Sequence, residues 1–401
     1  YEHHVRTLIE ERRWPNSTVD ISELRLVIGY QRQNGADRTL TLDIVDYPGE
    51  WLLDLPLLDK SYEQWSAESL ALSRQQPRAP LAQAWHAHLA ALQPASREDE
   101  QATLTAARLF TDYLRACRDE RFAMSLLPPG RFLMPGNLAN SPALTFAPLD
   151  VPADGIAPEG SLWAMMRRRY EAYKDIVVRP FFRDHFSRLD RQVVLVDALA
   201  AFNAGPEALH DLEAALAGIL DCFRVGRGTF FSSLFRPRID RILFAATKAD
   251  HLHHTSHDRL ETILRRIVER AASRAEVAGA TIDVVALAAV RATREAQVQR
   301  GREKLPSILG TPLAGEIANG ETFDGKTEVA TFPGDLPADI DNLFNGGGSF
   351  RGLSTAEADK ADYRFLRFRP PLLEHDGATD PALPHIRLDR ALQFLIGDRL
   401  Q

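Results

Sequence analysis

Cysteine is scarce in this chain: Cys117 and Cys222 are the only two in 401 residues. Two thiols cannot build the disulfide framework of a small secreted domain or the thiolate cage of a structural zinc site. Both read as buried or incidental thiols in a reducing compartment. Long apolar runs are also lacking, and no uninterrupted stretch approaches the roughly twenty residues that a membrane span requires. Positive charge is not in excess, since 48 Lys and Arg stand against 55 Asp and Glu for a net charge of -7. A general nucleic-acid binder needs a basic face to displace counterions, and this balance argues against one. A small anionic ligand stays open, because a local site can be positive on an acidic protein. No signal peptide and no internal repeat are visible. The first residue is Tyr1 rather than Met, so the natural N-terminus is expected upstream.

What is present is ordinary for a soluble globular protein: 45% hydrophobic and 26% charged residues, enough for one large domain or two to three smaller ones. ISELRLVIGY (21–30) and LTLDIVDY (40–47) are β-rich runs around the turn signal Asn34-Gly35, and they predict a hairpin. From about Trp51 to Arg188 apolar residues recur at helical spacing, interrupted by a Pro/Gly-rich stretch at 126–160 that predicts loop; LWAMMRRRYEAYKDIVVRPFFRDHF (162–186) after it predicts one further helix. RQVVLVDAL (191–199), RIDRILFAATKAD (238–250) and TIDVVALAAV (281–290) then predict buried strands, separated by helices at Pro206 onward and at 256–275. Apolar strands alternating with helices predict an α/β fold whose parallel sheet is covered on both faces. A terminal helix, LPHIRLDRALQFLIGDRL, would pack Ile386, Leu388, Ala391, Leu392, Leu395 and Ile396 on that sheet. NGGGSFRG (345–352) reads as a flexible connection.

GETFDGKT (320–327) matches the phosphate-binding pattern G-x-x-x-x-G-K-[ST]. Such a loop must follow a buried strand and open a helix, so that backbone N–H groups face the phosphates. TPLAGEIAN before it is not an apolar strand, and Pro333 and Pro337 after it oppose a helix. Asp324-Gly325 reads instead as a hairpin turn, with Lys326 and Thr327 opening the next strand.

Ligands of an open parallel sheet bind beyond the carboxyl ends of its strands. There the sequence places Asp46-Tyr47-Pro48-Gly49-Glu50, Thr247-Lys248-Ala249-Asp250 and Ala288-Ala289-Val290. In chain order these stand for D-x-x-G, [N/T]-K-x-D and a short S-A-K-like turn. Asp46 can hold Mg²⁺ through a water, and Gly49 lets a backbone N–H approach a γ-phosphate. The carboxylate of Asp250 can accept two hydrogen bonds from a guanine edge, and adenine would leave it unpaired. The stem of Lys248 can lie over the base, while the backbone N–H after Ala288 reaches the guanine oxygen.

DIVDYPGEWLLDLPLL, DRQVVLVDAL, RILFAATKADH and the terminal helix resemble the YcjX-like stress proteins, over about Trp14 to Leu400. The resemblance implies a Ras-like G domain with a large α-helical insertion, GTP binding and hydrolysis with Mg²⁺, a cytoplasmic stress role and a link to an inner-membrane protein. The expected layout is a first G-domain part at 1–50, the helical insertion at 51–188, a second G-domain part at 189–300, an irregular insertion at 301–382 and the packing helix at 383–401. The family's phosphate loop and first strand are expected upstream of Tyr1, so residues 1–401 alone are expected to bind nucleotide poorly.

Thr18 stands where the switch threonine of GTPases reaches Mg²⁺, with a plain strand cap as its alternative. Glu50 occupies the place of the water-orienting glutamine, where a carboxylate near a triphosphate is repelled unless paired or protonated. The apolar run from Trp51 to Leu55 would either face a partner or pack against the insertion. His251, His253, His254 and His257 cluster in HLHHTSHD, but with no third ligand evident they read as a polar helix start. Two functions follow: a GTP-hydrolysing switch, or a nucleotide-independent interaction module that works through its helical insertion.

Overall fold

A computed structural model describes residues 2–32, 34–222, 239–277, 279–300, 302–318, 320–337, 365–373 and 383–400. The Gly-rich stretch at 345–352 lies outside the described residues. A short helix α1 (Glu2–Ile9) leads into the hairpin β1 (Ser22–Gln31) and β2 (Asp37–Asp46), paired antiparallel from Ser22↔Asp46 to Gln31↔Asp37. Gly35 takes the left-handed conformation in the turn (φ 80°), and Asn34 Oδ1 accepts the Ala36 N–H at 3.1 Å.

The helical region follows as α2 (Tyr62–Ser73), α3 (Gln83–Ala91), α4 (Glu100–Arg118), α5 (Gly130–Leu133), α6 (Leu162–Tyr173) and α7 (Arg179–Asp184). Its starts are capped by side chains: Ser61 and Gln64 form a capping box on α2, Asp99 caps α4 and Ser161 caps α6. The single helix expected from Leu162 onward is divided by a π-helical turn at Lys174–Val178. Pro180 stands just past that turn, in the first turn of α7. The 126–160 stretch is irregular apart from α5 and two 3₁₀ turns, and Leu127, Phe132, Phe146, Ala147, Leu149 and Val151 in it are buried in the core.

Strands and helices then alternate: β3 (Arg191–Val196), α8 (Ala198–Ala204), α9 (Pro206–Asp221), β4 (Arg241–Ala246), α10 (His257–Val277) and β5 (Thr281–Ala286). β3, β4 and β5 pair in parallel in that order. Each strand is shorter than the apolar run that predicted it, because its last residues turn into the next loop or helix; Asp197 already caps α8. An antiparallel sheet of β6 (Arg294–Arg300), β7 (Glu303–Gly310) and β10 (Val329–Thr331) follows, with the short pair β8 (Ile317–Ala318) and β9 (Glu321–Thr322) beside it.

One face of the parallel sheet, carrying Ile242, Phe244, Ala246, Val284 and Ala286, joins a core continuous with the helical region. On the other face Leu243, Ala245, Val285 and Leu287 are covered by the terminal helix α11 (Leu388–Ile396) through Leu388, Ala391, Phe394 and Leu395. Leu392 points outward instead, and Ile386 precedes the helix as a backbone partner of Ala288. Over β3 no described residue covers this second face as α11 does elsewhere: Val193 and Leu195 are 41% and 66% exposed. Leu24, Leu26 and Ile44 on the hairpin are exposed as well.

Between Asp46 and α2 the chain forms an 11-residue 3₁₀ segment, Gly49–Asp59, in which Trp51, Leu52, Leu53, Asp54, Leu55 and Leu57 are buried. The partner-facing alternative for this run is thereby overturned, since every apolar residue it would offer is spent on the helical core. The Trp51 Nε1–H donates to Met134 O at 2.8 Å, and the Arg131 guanidinium lies 3.1 Å over its ring. Gly130 is required here, as a Cβ would sit 1.8 Å from Glu50 O. Asp54 accepts the Gly130 N–H at 2.7 Å and the Tyr173 hydroxyl at 2.6 Å.

A second polar anchor ties the helical region to α9. Asp211 accepts the Arg78 guanidinium at 2.5 Å and the Ser125 and Leu126 N–H groups at 2.6 and 2.7 Å, with both side chains buried. Asp211→Ala strands a buried guanidinium and two backbone donors, and should lower stability by about 3–5 kcal/mol in urea unfolding. Asp211→Asn, which keeps one acceptor oxygen, should lose less.

Burial pushes the Asp54 carboxyl up to about 6, against the opposing pull of its hydrogen bonds from Tyr173 and Gly130. The folded state therefore holds this proton more tightly than the unfolded chain. Its stabilising contribution is complete below pH 4 and is lost as pH rises through about 6, up to about 3 kcal/mol. Unfolding midpoints measured from pH 4 to 7 should show this slope in the parent protein and a flatter profile in Asp54→Asn.

Candidate functional site

The register of the parallel sheet extends past the strand ends and fixes the turn after β4. The Thr247 N–H donates to Val196 O at 3.0 Å, the Leu287 N–H to Ala246 O at 2.8 Å, and the Ala249 N–H to Leu287 O at 3.2 Å. Lys248 is forced into the left-handed region (φ 60°), a conformation that costs a side-chain-bearing residue on the order of 1 kcal/mol and marks sites held by their surroundings. Its Nζ donates to Asp197 Oδ2 at 2.6 Å, while Asp197 Oδ1 caps α8 through the Ala200 N–H.

Asp250 is buried at the same end of the sheet, and its Oδ2 accepts the Ala292 N–H at 2.8 Å. The Thr293 hydroxyl donates to Asp250 O at 2.5 Å, which locks this turn to the segment that leaves β5. The expected third element lies in that segment. Ala288 exchanges backbone hydrogen bonds with Ile386, so its own N–H is taken, whereas Ala289 is exposed and Val290 half-buried. Thr247, Lys248, Asp250, Ala288, Ala289 and Val290 are thus gathered at the carboxyl ends of β4 and β5.

At the end of β2 a second group assembles. The Thr18 hydroxyl donates to Asp46 Oδ2 at 2.7 Å across 28 residues of chain. A strand cap would have bonded a nearby backbone group; this threonine holds the carboxylate instead. Asp20, two residues on, accepts the Asn137 N–H at 3.3 Å, and Gly136 packs so closely that a Cβ there would lie 2.7 Å from Val19 O. Gly49 opens the buried 3₁₀ segment, and Glu50 is ion-paired with Arg118 at the end of α4. Two side-chain oxygens at an exposed strand end are a hard-donor pair of the kind that suits Mg²⁺, which takes one or two protein ligands and otherwise phosphate and water.

The 320–327 match does not form strand, loop and helix. Asp324 Oδ1 accepts the N–H groups of Lys326 and Thr327, each at 2.8 Å, and its Oδ2 accepts the Thr327 hydroxyl at 2.9 Å. These bonds hold the Asp324 carboxyl down near 2, and the loop's donors are engaged by an anion of its own. The turn is where the sequence put it, but the expected hairpin is not: β9 pairs with β8 and β10 with β7, and Lys326 and Thr327 lie outside both strands.

In the histidine cluster, buried His257 begins α10 and bonds Ala249 O at 2.9 Å. His253 caps the 3₁₀ turn before α10, and the His251 ring meets Phe368 edge-on at 5.6 Å. A polar helix start is what the structure contains, together with a neighbour that the sequence hid: Glu295 of β6 lies 2.7 Å from His254 Nδ1.

Sequence reading missed Asp197, Ala292, Arg118 and Glu295. Only Asp197 left a signal, as an acidic residue between a strand and a helix. Both cysteines are buried as expected, and burial pushes the Cys222 thiol up to about 12. Among the described residues, no helix is long and apolar enough to cross a membrane.

A protein-family model described as the YcjX-like family, DUF463, matches residues 1–400. A protein of Escherichia coli (strain K12) named Ras-like GTPase YcjX is 37% identical over 400 residues, covering 97% of this chain and 80% of the relative. Its namesake from Shewanella oneidensis is 33% identical over 405 residues, covering 97% of this chain and 78% of the relative. A family match over residues 1–400, joined by two relatives at 37% and 33% identity, establishes that this chain belongs to the YcjX-like family.

Proposed function

We propose that the natural protein binds GTP with Mg²⁺ and hydrolyses it, as a Ras-like G domain that carries a large helical insertion. The observation that carries this reading is the Thr18–Asp46 hydrogen bond at one strand end, together with an Asp250 carboxylate held by Ala292 at another. The printed names of the two relatives point the same way.

Asp250 keeps acceptor capacity beyond its bond to Ala292, because each carboxylate oxygen has two lone pairs. That capacity would take the paired donors of a guanine edge. The Ala289 N–H would meet the guanine oxygen, since the Ala288 N–H is occupied by Ile386. Lys248, braced by Asp197, would lie along the base. Thr18 and Asp46 would hold Mg²⁺, which when bound neutralises phosphate charge, and the Gly49 backbone would approach the γ-phosphate. Arg118 answers the objection to Glu50, because an ion-paired carboxylate repels a triphosphate less than a free one.

The phosphate loop and its strand are proposed to come from outside residues 1–401. Among the described residues, Val193 and Leu195 of β3 stand exposed on the face that α11 covers over β4 and β5, which supports this reading. A cytoplasmic stress role and an inner-membrane partner rest on the family resemblance alone.

Labelled GTP binding to the full-length protein tests the proposal. Unlabelled GTP should displace the label while ATP in hundredfold excess does not, and Asp250→Asn should weaken binding by more than about tenfold. Residues 1–401 alone should bind more weakly than micromolar. Equal displacement by ATP, or an unaffected Asp250→Asn, would sink it.

A further inference from the structure

His253 and His254 lie three and four residues past the end of the T-K-A-D turn, and folding sets both beside Glu295 from β6. Each offers one ligand atom, and the three atoms lie within 4.8 Å of one another. His254 Nδ1 is 2.7 Å from Glu295 Oε2, and His253 Nε2 is 3.9 Å from the same oxygen. A tetrahedral zinc ion with bonds near 2.0–2.1 Å sets its ligands about 3.4 Å apart. The two separations straddle that value, so small rotations of His254 and Glu295 would centre an ion between the three groups.

The surroundings suit a metal ligand set. His253 Nδ1 bonds Thr255 Oγ1 at 3.0 Å, which orients the ring and leaves Nε2 turned to Glu295. For Nε2 to take a metal, Nδ1 must carry the proton and donate it to Thr255 Oγ1, giving up the longer cap contact with the Thr255 N–H at 3.5 Å. The rings of His253 and His254 are 4.3 Å apart, and His253 is buried while His254 and Glu295 reach solvent. An ion therefore has an entry path and room for a water as fourth ligand. Arg291, 3.5 Å from Glu295 Oε1, is the competing partner, and it engages the oxygen that does not face the histidines.

We propose that His253, His254 and Glu295 form a transition-metal site of the Zn²⁺ class. Its placement gives it a consequence. Glu295 lies three residues beyond Ala292, whose N–H holds the Asp250 carboxylate, and the histidines lie three and four residues beyond Asp250 itself. A bound ion joins the two segments that shape this turn by a second tie, close to the Asp250–Ala292 hydrogen bond.

The test is zinc alone, titrated into the tag-free, metal-stripped full chain in competition with a chromogenic chelator. One equivalent should bind at micromolar affinity or tighter. His254→Ala and Glu295→Gln, both at exposed positions and checked by circular dichroism, should each lose more than about tenfold in affinity, while His210→Asn on α9 should match the parent. Absence of a stoichiometric site in the parent overturns the proposal, and so does parent-like affinity in either folded variant.

Discussion

The burial of the Gly49–Asp59 segment is the constraint on which the rest of this structure depends. Its first residues belong to the turn after β2, and its next ones are core of the helical region. Trp51 stacks under Arg131 and meets Phe181 edge-on, while Gly130 leaves space for the Glu50 carbonyl. Such close contacts cannot deform gradually, because a packed interior resists small displacements. Movement of the Asp46 turn would therefore be felt by α5 and α7, and a shift of those helices would be felt at Asp46.

Charge follows the same logic of double use. Asp54 gathers donors from Gly130 and Tyr173, Asp211 from Arg78, Ser125 and Leu126, and Asp197 from Lys248 and the start of α8. Each carboxylate joins two or more elements distant in sequence, which a lone apolar contact could not do with the same directionality. The acidic excess of the chain is in part employed inside the protein, where it sets which elements meet.

The apolar surface tells a complementary story. α11 covers β4 and β5 through Leu388, Ala391, Phe394 and Leu395, with Arg390 bonded to Asp283 and Glu261 at its side. Among the described residues, β3 shows Val193 and Leu195 exposed on the same face. Contiguous exposed apolar residues on an otherwise covered sheet mark a place for another surface. The hairpin residues Leu24, Leu26 and Ile44 add to the exposed apolar surface.

Local rules made several features legible. Alternation of apolar runs with helical spacing announced the parallel sheet, Asn34-Gly35 announced the hairpin, and Asp46, Lys248 and Asp250 stood at strand ends because such ends are where apolar runs stop. The flanks of 320–327 sufficed to reject a phosphate loop there, since prolines forbid the helix it needs. Pairing between remote segments was not legible. The hairpin expected around Asp324 failed because β10 found β7, and the single helix after Leu162 broke at a π-turn that periodicity does not encode. Arg118 beside Glu50, Ala292 beside Asp250 and Glu295 beside the histidines depend on distances between elements far apart in the chain. By itself the sequence determined where strands, helices and polar strand ends lie, because hydrophobic spacing and backbone chemistry are local. Only the tertiary structure decided which carboxylate faces which cation, because side-chain partners are chosen by how those elements pack.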